Sequence, residues 1–172
     1  MNSPYCGKFK ITQGFKGSAH DGLDLVGIDS KEIHATATGK IVFAGWENPS
    51  NQKQGFGQYV VILADGKYYH FGHLSEIKVK YGDQVKITDV IGVEGSTGYS
   101  TGSHCHYCIR TSMSPGTFLD VCALSGIPNN EGGTYDDGYR PTQQTTTAPK
   151  EEYTKEELLA ELKALYEKYS MK

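Results

Sequence analysis

Two histidines one residue apart, His104 and His106, follow a run of glycine and hydroxyl residues in GSTGYSTGSHCHYC, Gly95–Cys108. On an extended strand side chains alternate, so His104, His106 and Cys108 share one face and Cys105 takes the other. Histidine is the commonest metal ligand near neutral pH, and a pair on one face makes half a metal site. The other half stands in SAHDGLDL, Ser18–Leu25, where His20 and Asp24 are four residues apart. They share a face on a helix or a strand, and Gly22 favours extended chain or a turn. Both are suitable zinc ligands; with one of the later histidines they make three protein donors. A fourth tetrahedral position is then left for water, which is the pattern of a catalytic zinc rather than a structural one. The segment YHFGHLSE, Tyr69–Glu76, adds His70 and His73, one of which could reach the site as an unligated acid or base. Alone, neither H-x-H nor H-x-x-x-D is specific; the combination carries the signal.

The elements that must hold these residues read as short strands. KIVFAGW (Lys40–Trp46), QYVVILAD (Gln58–Asp65), KYYHFGH (Lys67–His73) and HCHYCIR (His104–Arg110) are rich in β-branched and aromatic residues and are punctuated by Gly, Asn and Asp. Ala64-Asp-Gly-Lys67 suits a tight hairpin. No helical periodicity is visible between about residues 9 and 128, so the expected fold is all-β, an antiparallel sheet filling residues 1–128. Residues 129–149 are polar and rich in Gly, Thr and Pro, and read as a linker. Residues 150–172 read as an amphipathic helix. Thr154 and Glu157 form a capping box, and Leu158, Leu162, Leu165 and Tyr169 make one apolar stripe. Such a helix is marginal alone, and its stripe fits a short coiled-coil seam, which points to a homo-oligomer or a partner helix. Five lysines and six glutamates over 150–172 lack the basic face of a membrane-seeking helix.

The bulk numbers set limits. With 172 residues there is room for one domain and an appendage. A net charge of −3 argues against nucleic acid as a partner. No apolar run is long enough to span a bilayer. The N-terminal MNSPYCGKFKITQGF lacks the apolar core of a secretion signal, so synthesis in the cytoplasm is expected. Reduced thiols are then expected at Cys6, Cys105, Cys108 and Cys122.

Taken in order, H-x-G-x-D (His20–Asp24), ATGKIVFAG (Ala37–Gly45), GFGQYVVI (Gly55–Ile62), HLS (His73–Ser75), VKYGDQV (Val79–Val85) and IGVEGSTGYSTGSHCH (Ile91–His106) resemble the lysostaphin/LytM-type zinc metallo-endopeptidases that cut peptidoglycan cross-bridges. The likeness spans residues about 11 to 110. It implies Zn2+ as cofactor and the peptide of bacterial cell-wall peptidoglycan as substrate. It implies His20, Asp24 and His106 as metal ligands, and His73 and His104 as catalytic histidines. Zinc lowers the pKa of its bound water to about 7. His104 would then take or orient the water's proton, and His73 would hydrogen-bond the oxyanion. The loops Gly95–Ser103 and Glu47–Gln54 would wall a groove for an extended, small-residue peptide, with Trp46 and Phe56 flanking it.

Two positions depart from the family pattern. Cys105 replaces an aliphatic residue between the paired histidines, on the core-facing side. Cys108 stands two residues after the last ligand, where a carboxylate is common. It can be an inert thiol, a support for the ligands, or a fourth ligand that would close the site. The absent secretion signal fits a phage-type lytic enzyme or a virion-borne component acting at the cell wall. The segment DVCALSGIP (Asp120–Pro128) resembles the region after the domain in phage lysins. The competing reading is a catalytically silent wall-binding or regulatory module with a structural zinc. The presence of His20, Asp24, His73, His104 and His106 together favours the enzyme.

Overall fold

Alternation in the sequence becomes a two-faced sheet. The computed structural model describes residues 2–113 and 117–139. Among these, the elements in order are β1 (Lys8–Gln13), β2 (Leu23–Gly27), β3 (Glu32–His34), β4 (Gly39–Trp46), β5 (Gln58–Ala64), β6 (Lys67–Gly72), β7 (Glu76–Ile77), β8 (Gln84–Val85), β9 (Val90–Val93), β10 (Cys105–Arg110), α1 (Val121–Ser125) and β11 (Thr134–Asp136). One antiparallel sheet runs β11-β1-β2-β10-β6-β5-β4-β8, and a smaller one runs β3-β9-β7. The expected strands lie where the sequence put them. The β5–β6 hairpin turns at Asp65 and Gly66, both at positive φ (49° and 70°), as a primed turn requires.

One face of the large sheet joins the core. Phe9, Ile11, Leu23, Leu25, Val60, Ile62, Phe71, Cys105, Tyr107 and Ile109 belong to one buried cluster, which also takes in Ile33 and Ile91 from the small sheet. Cys105 thus faces the core, as the alternation predicts. The other face carries Asp24, His70, His106, Cys108 and Arg110. Burying each large apolar side chain contributes roughly 1.5–3 kcal/mol, so the core face dictates the register. A one-residue slip of β10 would exchange Tyr107 and Ile109 for His106 and Cys108. Packing therefore places the polar residues.

Two features depart from the sequence reading. The domain does not end at 128. Thr134, Tyr135 and Asp136 pair with Lys10, Phe9 and Lys8, and Asn129 accepts a hydrogen bond from the Phe15 amide at 3.0 Å. Tyr135 packs on Phe9, which explains why this polar stretch returns to the sheet. The helix α1 was also not foreseen; five residues are too few for periodicity to register. Its ends are well marked, since Asp120 accepts from the Ala123 amide and Gly126 closes it at φ 72°. Residues 140–149 of the expected linker, the helix over 150–172 and its oligomer seam lie outside the described residues.

Candidate active site

Strand register brings the distant donors together. His106 on β10 stands directly opposite Asp24 on β2. Its Nδ1 lies 2.8 Å from Asp24 Oδ1. His20 enters from the turn before β2 and places Nε2 3.1 Å from the same oxygen. The ligand atoms of His20, Asp24 and His106 all lie within 4.8 Å of one another. The Nδ1–H of His20 donates to the Gly14 carbonyl at 2.7 Å, so its Nε2 lone pair points inward. Gly22 makes the approach possible: a Cβ there would lie 2.7 Å from His106 Nε2 and from the Tyr107 carbonyl.

The electrostatics favour a cation. Burial alone would raise the pKa of Asp24, but the His106 and His20 imidazoles set against Oδ1 outweigh it and hold the carboxyl well below its usual range. Burial alone would lower the pKa of His106, but Asp21 and Asp24 on either side of the ring hold it well above. Two imidazole nitrogens and one carboxylate oxygen are a donor set that fits zinc with one position left open.

Two more histidines sit beside this cluster. His73 follows β6 in a left-handed conformation (φ 63°), uncommon for a residue other than glycine. Its amide donates to the Phe56 carbonyl at 2.8 Å, and its Nδ1–H donates to the Thr97 carbonyl at 2.7 Å. Burial pushes its pKa down to about 4, with the Thr97 contact opposing, so the ring is neutral at neutral pH and presents Nε2. The Nδ1–H of His104 donates to the Gly102 carbonyl at 2.8 Å, and its Nε2 lies 3.7 Å from Asp24 Oδ1. The His73 and His104 rings are 4.6 Å apart. Backbone carbonyls thus fix the tautomers of His20, His73 and His104.

All five residues line one open groove of about 470 Å³. Tyr99, Ser100 and Thr101 of the Gly95–Ser103 loop form one wall, and Glu47, Gly55 and Phe56 contribute to another. The two loops meet where Gly98 donates to the Gln52 carbonyl and Tyr99 to the Gly55 carbonyl. Phe56 lines the groove and Trp46 does not; Phe56 packs on His106 and His73.

His70 does not line the groove. It is 1% exposed and lies parallel to Tyr59, with neither ring nitrogen in hydrogen-bond geometry. The Ser112 backbone is close enough to raise its pKa slightly, but burial dominates and pushes it down to about 3. Cys108 is fully buried and clusters with Asp21 and His106, not with His20 and Asp24. Two residues at the site went unremarked in the sequence. Arg110 donates from Nε and Nη2 to Asp21 Oδ2, at 3.0 and 2.5 Å. Arg110 was legible by alternation from His106, whereas Asp21 reaches it across 89 positions.

The chain is similar to known proteins in sequence and in fold. Residues 18–117 match Peptidase family M23. The chain is 32% identical over 77% of its length to the glycyl-glycine endopeptidase ALE-1 of Staphylococcus capitis, covering 37% of that protein. It superposes on the catalytic domain of lysostaphin from Staphylococcus simulans with a TM-score of 0.57 and 31% identity, covering 69% of this chain and 91% of that domain. The catalytic domain of the prophage-encoded M23 protein EnpA from Enterococcus faecalis gives 0.54 and 29%, covering 70% and 91%. The chain spans well under half the length of the curated relatives, 37% of ALE-1 and 18% of Staphylococcus simulans lysostaphin. With its antiparallel β fold, its clustered His20, Asp24 and His106 and this match, the chain belongs to peptidase family M23, a family of metallopeptidases.

Proposed function

We propose that the chain is a zinc-dependent endopeptidase that hydrolyses peptide cross-links of bacterial cell-wall peptidoglycan. The convergence of His20, Asp24 and His106 beside His73 and His104 in one groove carries this reading. His20 Nε2, Asp24 Oδ1 and His106 Nδ1 would hold the metal, which supplies Lewis acidity and an activated water when bound. His104 presents Nε2 beside Asp24 and takes the proton of the attacking water, while its Nδ1–H stays on Gly102. His73 has its Nδ1–H committed to Thr97, so a proton reaching Nε2 makes an imidazolium that donates to the oxyanion or the leaving amine. The Gly/Ser/Thr wall permits close approach of an extended backbone with small side chains. The similarity to ALE-1, a glycyl-glycine endopeptidase, supports that substrate class. A phage-type origin belongs to the same reading, supported by the likeness to prophage-encoded EnpA.

The alternative, a silent wall-binding module, has no use for two further histidines held in fixed tautomers at the groove. Purified walls of defined cross-bridge type, digested with and without a chelator and then with zinc restored, separate the two. Chelator-sensitive release of peptide fragments, identified by mass spectrometry, is expected. Zinc-loaded protein that releases no fragment from any wall type contradicts the reading.

A further inference from the structure

We propose that Asp21 is a positioning residue for His106, and that Arg110 acts on the site through Asp21. The inference rests on the functional reading above, because it takes His106 Nδ1 as a metal donor. With the Nδ1 lone pair given to the metal beside Asp24, the ring proton belongs on Nε2. That nitrogen is buried, and no group meets it at hydrogen-bond geometry. The nearest anionic atom is Asp21 Oδ1, at 3.3 Å. The neighbouring Cys108 offers only a weak acceptor. A ligand histidine characteristically gives its second N–H to a carboxylate, which fixes ring orientation and raises basicity at the donor nitrogen.

Asp21 is itself held. The Arg110 fork takes Oδ2 through Nε and Nη2, which leaves Oδ1 for His106. The guanidinium lies 5.2 Å over the Phe56 ring, and Phe56 packs on His106 at 5.4 Å. Alternation along β10 puts His106 and Arg110 on the same face, so one strand carries both the ligand and the clamp on its support. Asp21, His106 and Cys108 are close enough together to hold a cation of their own. Arg110 already places a permanent positive charge on Asp21, so the cluster braces a ligand rather than binding a second ion.

Asparagine at 21 cannot replace the aspartate. Its single oxygen serves Arg110 or His106, and its amide nitrogen then confronts the other donor. Zinc affinity of the full chain, measured by competition with a chromogenic chelator, should fall about 10–100-fold in Asp21→Asn. Arg110→Met should weaken binding in the same direction, and the double variant should lose no more than Asp21→Asn alone. In zinc-loaded, 15N-histidine-labelled protein, the His106 Nε2–H should give a downfield, slowly exchanging proton signal that is lost in Asp21→Asn. A purely structural role would not move that signal in protein with unchanged far-UV circular dichroism. If Asp21→Asn fails to fold, Arg110→Met carries the test on the same two readouts. Zinc affinity within twofold of the wild type, or an unchanged Nε2–H signal, overturns the inference alone. A wild-type chain that binds no zinc overturns the functional reading with it.

Discussion

Replacing His70 with phenylalanine should make the fold less sensitive to acid, by an amount that follows from its burial. The ring is 1% exposed, packs beside Tyr59 and Phe56, and has neither nitrogen in hydrogen-bond geometry. Burial pushes its pKa down to about 3, whereas an unfolded chain leaves histidine near about 6.5. The folded state therefore stays neutral while the unfolded state takes up a proton. The stability held by the neutral ring is fully present above the unfolded pKa and is lost as pH falls from about 6.5 toward about 3. Between about pH 7.5 and about pH 5 the loss from this one residue is about 2 kcal/mol, set almost wholly by the unfolded pKa because the folded ring is still neutral there. His73, with its own pKa near 4, adds a similar slope, but both proteins share it. Urea unfolding of metal-free wild type and His70→Phe at the two pH values isolates the term as a difference of differences. The expected value is about 2 kcal/mol, with no loss of stability at neutral pH, since phenylalanine keeps the ring packing and removes two buried nitrogens that lack a well-aligned hydrogen bond. A value within about 0.5 kcal/mol of zero would refute the reasoning, because it would mean that the folded ring is protonated or hydrated.

His106→Ala should lose zinc and wall hydrolysis together, by metal analysis and turbidity loss of a wall suspension. His104→Ala and His73→Ala should keep zinc while turnover falls about 10²–10⁴-fold, the scale of a general acid or base; metal-free His104→Ala would exchange the roles of His104 and His106. Gly98→Ala should keep zinc and lower turnover on the order of 10²-fold. Gly98 has φ 75°, a Cβ there would meet the Gly57 amide at 2.3 Å, and the shift falls on Thr97, whose carbonyl orients His73.

Much of the site was legible because strand alternation is a local rule. It placed His106 and Cys108 on one face and Cys105 on the core side. The Asp65-Gly66 turn and the strands around it were equally local. What escaped detection depends on tertiary contact. Strand β11 looks like linker by composition and is held by its register with β1 and by the packing of Tyr135 on Phe9. Asp21 becomes a partner of His106 only when β2 and β10 pair. The carbonyls of Gly14, Thr97 and Gly102, which set three imidazole tautomers, belong to the backbone and have no signature in residue type. Glu94 is similar: it is buried, yet it ties together Tyr5, the Gly27 amide, Lys31 and Ser103, and so anchors the base of the groove loop. Cys108 stayed open in sequence because alternation gives a face but not a depth along it.

X-ray absorption at the zinc edge of the loaded chain bears on all of this at once. Three protein donors and one solvent position predict a shell of only nitrogen and oxygen at about 2.0–2.2 Å, with two imidazoles in it. A sulfur scatterer at about 2.3 Å would bring Cys108 into the shell, close the open position and contradict the account.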